Sequence, residues 1–283
     1  IGGVAGFVRD TVDSCSVSNV NVLSNVKENN IYNYGGIVGV ANSVINSNVE
    51  NLRIRNTGEN QGLTYTGAVV GVSNYVKGLN AKDAEIIVNA IPNNRLGGIV
   101  GSINKANYEE VDTSESITDL HAENIGISTD TPNTDIGGII GTMTRKSWKP
   151  WDNVSAKNIK ISNSSESSSM DDGNYGGVAG ITWNPLNNVI VENIDIDVKC
   201  QNTKIGGVAG IADNYATLSD ITASNIKIAG KTLLAGGIAG MTRLLSDATV
   251  TNVEIVSSDN SNMNHSGGAA GVITATANNI AAN

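Results

Sequence analysis

GGVAG at Gly206–Gly210, followed by LSDITASNIKI at Leu218–Ile228, is the stretch on which the reading turns. The word returns along the whole chain: GGVAG at Gly2, GGIVG at Gly35, GAVVG at Gly67, GGIVG at Gly97, GGIIG at Gly137, GGVAG at Gly176, GGIAG at Gly236 and GGAAG at Gly267. Steps between successive starts are 33, 32, 30, 40, 39, 30, 30 and 31 residues. A period near 30, with two lengthened units, is the mark of a repeat array. In such an array no unit buries its own apolar face, so stability comes from stacking on neighbours.

The block after each word has a phase that specifies local structure. WDNVSAKNIKI starts at Trp151, VDSCSVSNVNV at Val12 and VINSNVENLRI at Val44. Numbered 1 to 11, position 1 is apolar, position 3 is mostly Asp or Asn, position 4 is mostly apolar and position 6 is Val or Ala. Position 8 is Asn19, Asn51, Asp83, Asn124, Asn158, Asn193, Asn225 or Asn252, and positions 9 and 11 are apolar. Positions 4 and 6 alternate as one face of a strand, and so do 9 and 11. The step from 6 to 9 is odd, so the alternation slips, which a strand does only at a bend or bulge. Asn tolerates the left-handed conformation such a corner needs. The pattern therefore predicts a strand, an Asn corner and a second strand, with the glycine word as a third strand. No stretch combines an i, i+3, i+4, i+7 stripe with helix caps.

The expected fold is all-β: a single-domain parallel β-solenoid (β-helix) of about nine coils of ~30 residues, three short strands per coil, forming a rod of roughly 40 Å. Residues 1–283 read as one repeat domain, with longer loops in 101–176. Asn19, Asn51, Asn124, Asn158, Asn193, Asn225 and Asn252 are expected to line up as a structural ladder, each amide bonded to the next.

Composition supports short strands and tight corners. Hydrophobic content is 40% and aromatic content 4%, with 32 Gly and 4 Pro, so the core is built from small and β-branched residues. A net charge of −9 opposes binding to nucleic acid or anionic lipid, and no apolar run reaches a membrane span. Cys15 and Cys200 lie several coils apart, beyond disulfide reach. Beginning at Ile1 inside a repeat word, the sequence is expected to be a segment of a larger protein. Its flanking domains would cap the open ends of the stack.

GGIVG and GGVAG, each followed by an Asn-Val or Asn-Ile strand, resemble the GLUG-motif repeats of bacterial surface proteins. Such repeats occur in adhesins and in the non-catalytic N-terminal part of immunoglobulin A-cleaving metallopeptidases. Where those repeats carry Leu, this chain carries Ile, Val or Ala. The resemblance implies a secreted or cell-surface (cell wall) location and brings no catalytic residues with it.

Chemistry-bearing groups are sparse. His121 and His265 have no metal-ligand spacing, neither the RTX nonapeptide nor an EF-hand loop is present, and no metal or cofactor is expected. Asp119, Asp220 and Asp247 share position 3 with Asn46, Asn153 and Asn188, as corner-bonding residues do. The candidate ligand surface lies in the lengthened units. Trp148 and Trp183, with Arg145 and Lys149, could stack on a sugar or a peptide. Tyr108, Glu109, Glu110 and Lys146 belong to the same insertions, and Trp151 at position 1 reads as packing. The functional expectation is a non-catalytic structural and adhesive module, a rigid spacer whose partners are its flanking domains and a host glycan or protein. The alternative is a carbohydrate-active β-helix enzyme, a polysaccharide lyase or hydrolase. Its paired carboxylates would come from Asp171 and Asp172 or from Asp195 and Asp197.

Overall fold

The computed structural model describes residues 1–25, 32–58, 63–89, 93–103, 116–143, 149–166, 173–257 and 265–283. Strand is the only regular structure among them, and the strand pairings join one 21-stranded sheet that winds as a parallel β-solenoid. It makes about seven turns rather than nine. Nine words enclose fewer complete turns than words. Toward the C-terminus strands run through their corners unbroken, as in Leu186–Gly206 and Ala239–Ser257.

Successive units pair in parallel register, and the interior is made of columns. Leu120 pairs with Val154, Val154 with Val189, Val189 with Ile221 and Ile221 with Ala248. Ile125, Ile159, Ile194, Ile226 and Val253 form a second column at position 9. Positions 4, 6, 9 and 11 are buried in unit after unit. Each buried Val or Ile contributes roughly 1.5–3 kcal/mol, but only because its neighbours above and below exclude water.

Two single-residue corners shape each turn. Position 8 adopts positive φ throughout, from 52° at Asn51 to 58° at Asn19 and Asn193. Position 3 does the same: Asn46, Gly78, Asp119, Asn153, Asn188, Asp220 and Asp247 all lie at φ between 48° and 63°. The apolar step from position 1 to 4 is thus a second slip of the same kind as that from 6 to 9.

The glycine word corrects the sequence expectation. It is a bend between two strands, not a strand. In the fifth unit Thr134–Gly137 ends on the first glycine, the chain bends at Gly138 and Ile139, and Ile140–Met143 begins the next side. The reason is steric. A Cβ on Gly138 would overlap the carbonyl oxygen of Gly177 in the next turn, and one on Gly141 would lie 2.6 Å from both Gly101 O and Leu96 N. Backbone hydrogen bonding continues through the bend, because Val178 O accepts from Ile139 N at 3.0 Å and Ile140 N at 2.9 Å. Both apolar residues of the word are buried because the chain turns between them.

Candidate functional site

The position-8 side chains form a continuous line on the surface. Asn124 Nδ2 donates to Asp83 Oδ1 (2.7 Å), Asn158 to Asn124 (2.8 Å), Asn193 to Asn158 (2.9 Å), Asn225 to Asn193 (2.9 Å) and Asn252 to Asn225 (2.7 Å). Asn51 bonds Asn19 in the same sense. Asp83 has only acceptor oxygens, and among the described residues no hydrogen bond joins it to Asn51. The outer columns beside the ladder alternate in charge. Position 7 reads Glu50, Lys82, Glu123, Lys157, Glu192 in register, with Lys157–Glu192 at 3.4 Å and Lys82–Glu123 at 3.8 Å. Position 10 pairs Arg53 with Glu85 at 2.8 Å and Lys227 with Glu254 at 3.9 Å. An open groove over the first turns is lined by Asn19, Asn51, Asp83 and Asn124, with Arg53 and Glu85.

A second polar feature lies where the chain flanks the glycine word. Two columns meet there: the residue two before each word and the residue five after its start. Asp135, 3% exposed, sits between them. Its carboxylate accepts from Arg95 Nε (3.0 Å), Asn174 Nδ2 (2.7 Å) and Thr142 Oγ1 (3.3 Å). Burial pushes this carboxyl above its ordinary value, while Arg95, Asn174 and Thr142 pull it back. Ser102, in register beside Thr142, is fully buried, and its Oγ has no partner among the described residues. The sequence reading missed this cluster, although a signal existed. The residue five after each word's start is apolar at Phe7, Val40, Val72, Ile181, Ile211, Met241 and Val272, and polar only at Ser102 and Thr142. The Arg95–Asp135 pair falls in the same two units, the units that carry insertions.

A polar network also threads the interior. Asn163 Nδ2 donates to Thr131 O and to Tyr175 Oη, both at 2.8 Å, and its Oδ1 accepts from Ser165 N at 2.9 Å. Burial raises the Tyr175 hydroxyl well above its ordinary value, so it stays a neutral donor and acceptor. This network caps the backbone where the chain leaves the long block and approaches the next word.

Of the sequence-derived ligand residues, Trp183 is half-buried and Lys149 is exposed. Trp183 N donates to Met143 O at 3.3 Å, which seats it one turn above the strand from which the unit-five insertion departs. Trp148, Arg145 and Lys146 lie outside the described residues, as do Tyr108, Glu109, Glu110, Asp171 and Asp172. Trp151 is fully buried in the column with Leu186, and its Nε1 has no partner among the described residues.

The chain matches no protein-family model, no curated protein and no solved structure.

Other reactive groups are scattered. Asp195 and Asp197 sit on an outer face beside Lys160 and Ser162 of the preceding turn. His121 Nδ1 lies 2.7 Å from Ser155 Oγ as its in-register neighbour on an open face. Among the described residues no group of His, Cys, Asp and Glu is arranged to hold a metal ion.

Proposed function

We propose that this chain is a non-catalytic structural and adhesive repeat module of a secreted or cell-surface bacterial protein, of the GLUG-repeat type. It acts as a rigid spacer, and its ligand surface for a glycan or host protein is the side that carries Trp183 and Lys149. The observation that carries this reading is the unbroken register. Interior columns, corner ladders and glycine bends each repeat at the same place in successive turns, so bending the rod at any point breaks several of them together. Such a body transmits position and force along its axis. Among the described residues the outer faces beside the ladder present charge-alternating columns.

Small-angle scattering tests the spacer role. A rigid rod gives a linear cross-section plot and a skewed distance distribution, whereas a compact or flexible body would end the proposal. A glycan array tests the adhesive role. Binding without turnover, lost in Trp183→Ala, supports it. Depolymerisation of a bound polysaccharide would replace it with the enzyme reading.

A further inference from the structure

Three lysines on the outer columns of this solenoid meet carboxylates in register: Lys82 with Glu123, Lys157 with Glu192, Lys227 with Glu254. Lys204 departs from this. Its register neighbours are Asn174 in the preceding turn and Leu234 in the following one. It is half-buried, and among the described residues its ammonium has neither ion pair nor side-chain hydrogen bond.

Asn174 departs in a complementary way. Its Nδ2 donates to the buried carboxylate of Asp135 at 2.7 Å, yet its Oδ1 is buried with no donor among the described residues. Along most of the ladder an amide gives its nitrogen to the turn before and its oxygen to the turn after, as Asn158 does between Asn124 and Asn193. Asn174 follows that polarity at its nitrogen end, and the turn its oxygen should meet supplies Lys204. A buried amide oxygen without a donor gives up the hydrogen bond it would make with water, so the arrangement is destabilising as it stands. Adjacent strands are about 4.8 Å apart, less than the span of an extended lysine, so the Lys204 side chain is long enough for a rotamer change to bring Nζ to the Asn174 amide carbon.

We infer that Asn174 and Lys204 join in an intramolecular isopeptide bond that ties two successive turns together covalently. The Lys204 amine, after losing a proton, attacks Cγ of Asn174. The new Cγ–Nζ bond forms as the Cγ–Nδ2 bond breaks, and the departing nitrogen leaves as ammonium. Amide and alkylammonium thus become a secondary amide and an ammonium ion, with protons and charge conserved and no oxidant or cofactor consumed. Asp135 already holds Nδ2, so it is placed to pass a proton to the departing nitrogen. Arg95 and Thr142 fix that carboxylate from its other side. The bond would serve a rod under load, because it prevents two turns from peeling apart.

Intact-mass measurement of the folded chain decides the matter. The expected mass is lighter than the sequence mass by one ammonia, with fragmentation yielding a branched peptide that joins Asn174 to Lys204. Lys204→Arg keeps the charge, removes the nucleophile and restores the full sequence mass. Asp135→Asn reduces the cross-linked fraction reached in a fixed time. A wild-type chain at its full sequence mass overturns the inference. So does an ammonia loss that persists in Lys204→Arg or maps to other residues.

Discussion

The glycine corner and the asparagine corner turn the same chain by opposite means. At Gly138 the bend exists because nothing is there, and Gly141 in the strand that follows is bare for the same reason: backbone from neighbouring segments occupies the space a Cβ would need. At Asn158 the bend exists because something is there. The side chain tolerates φ of 54° and spends its amide on Asn124 below and its oxygen on Asn193 above. One corner is therefore rigid by exclusion and the other by bonding. The first should fail outright when altered, and the second should fail by degrees.

The largest expected effect tests exclusion. Gly141→Ala places a methyl 2.6 Å from Gly101 O and Leu96 N, both main-chain atoms that cannot rotate away. Overpacking of this kind costs about 3 kcal/mol or more, read as a fall in the urea midpoint or loss of the folded signal. Gly126→Ala is the control, because a Cβ there meets nothing within 4 Å on the outer face. It should be neutral or stabilise by about 0.5 kcal/mol through the unfolded chain. Equal costs at both sites would show that glycine acts here through flexibility rather than space.

Next comes the graded corner. Asn158→Ala loses two ladder bonds and imposes positive φ on a residue that resists it, for about 2 kcal/mol in all. Asn158→Gly keeps the conformation and loses only the bonds, so it should cost about half as much. Asn158→Asp still accepts from Asn193 and gives up only the donation to Asn124, as Asp83 does beneath Asn124. Chemical denaturation of the three variants should rank Ala worst. If Gly proved worse than Ala, the corner would depend on a side chain in contact rather than on backbone conformation.

Smaller still is the charge buried beside the glycine corner. Burial raises the Asp135 carboxyl above its ordinary 3.8, so it binds its proton more tightly folded than unfolded. Such a group adds stability fully below the unfolded value and loses that contribution as pH rises through the folded value. The wild-type minus Asp135→Asn difference in unfolding free energy should therefore fall as pH climbs from below 3.8 through the raised value, then level off. A difference that grew over that range would mean Arg95 outweighs desolvation. Arg95 is only partly exposed, so the variant also asks whether Asn can still hold it.

How far these features could be read from sequence follows from their periodicity. The position-8 corner and the buried columns at 4, 6, 9 and 11 were legible because strand alternation slips visibly there. Position 3 was equally regular, yet the step from Trp151 to Val154 was not recognised as a second slip. The glycine bend is hidden in the sequence because an apolar run between glycines has the composition of a strand. That both faces of GGIIG are covered by the chain's own doubling back is a tertiary fact. Asp135 could have been found by comparing columns instead of neighbours, since Ser102 and Thr142 replace apolar residues in just the two lengthened units. Trp183 shows the limit of composition as a guide: the sequence locates it near an insertion, and only the register seats it above Met143.

The smallest effect concerns neither corner but the charged columns between them. Glu123, Lys157 and Glu192 stand in register on successive turns, and their side chains are about half exposed, 50% for Lys157 and 43% for Glu192. Exposed pairs of this kind contribute only about 0.2–1 kcal/mol and are screened by salt. Lys157→Glu would set three carboxylates in a row, and its cost should stay near 1 kcal/mol at low salt and shrink toward zero at molar salt. Lys157→Gln, which removes attraction without adding repulsion, should cost less than half as much. If the cost of Lys157→Glu survived high salt unchanged, the columns would be packing through their aliphatic stems, and order along the rod would rest on the corners alone.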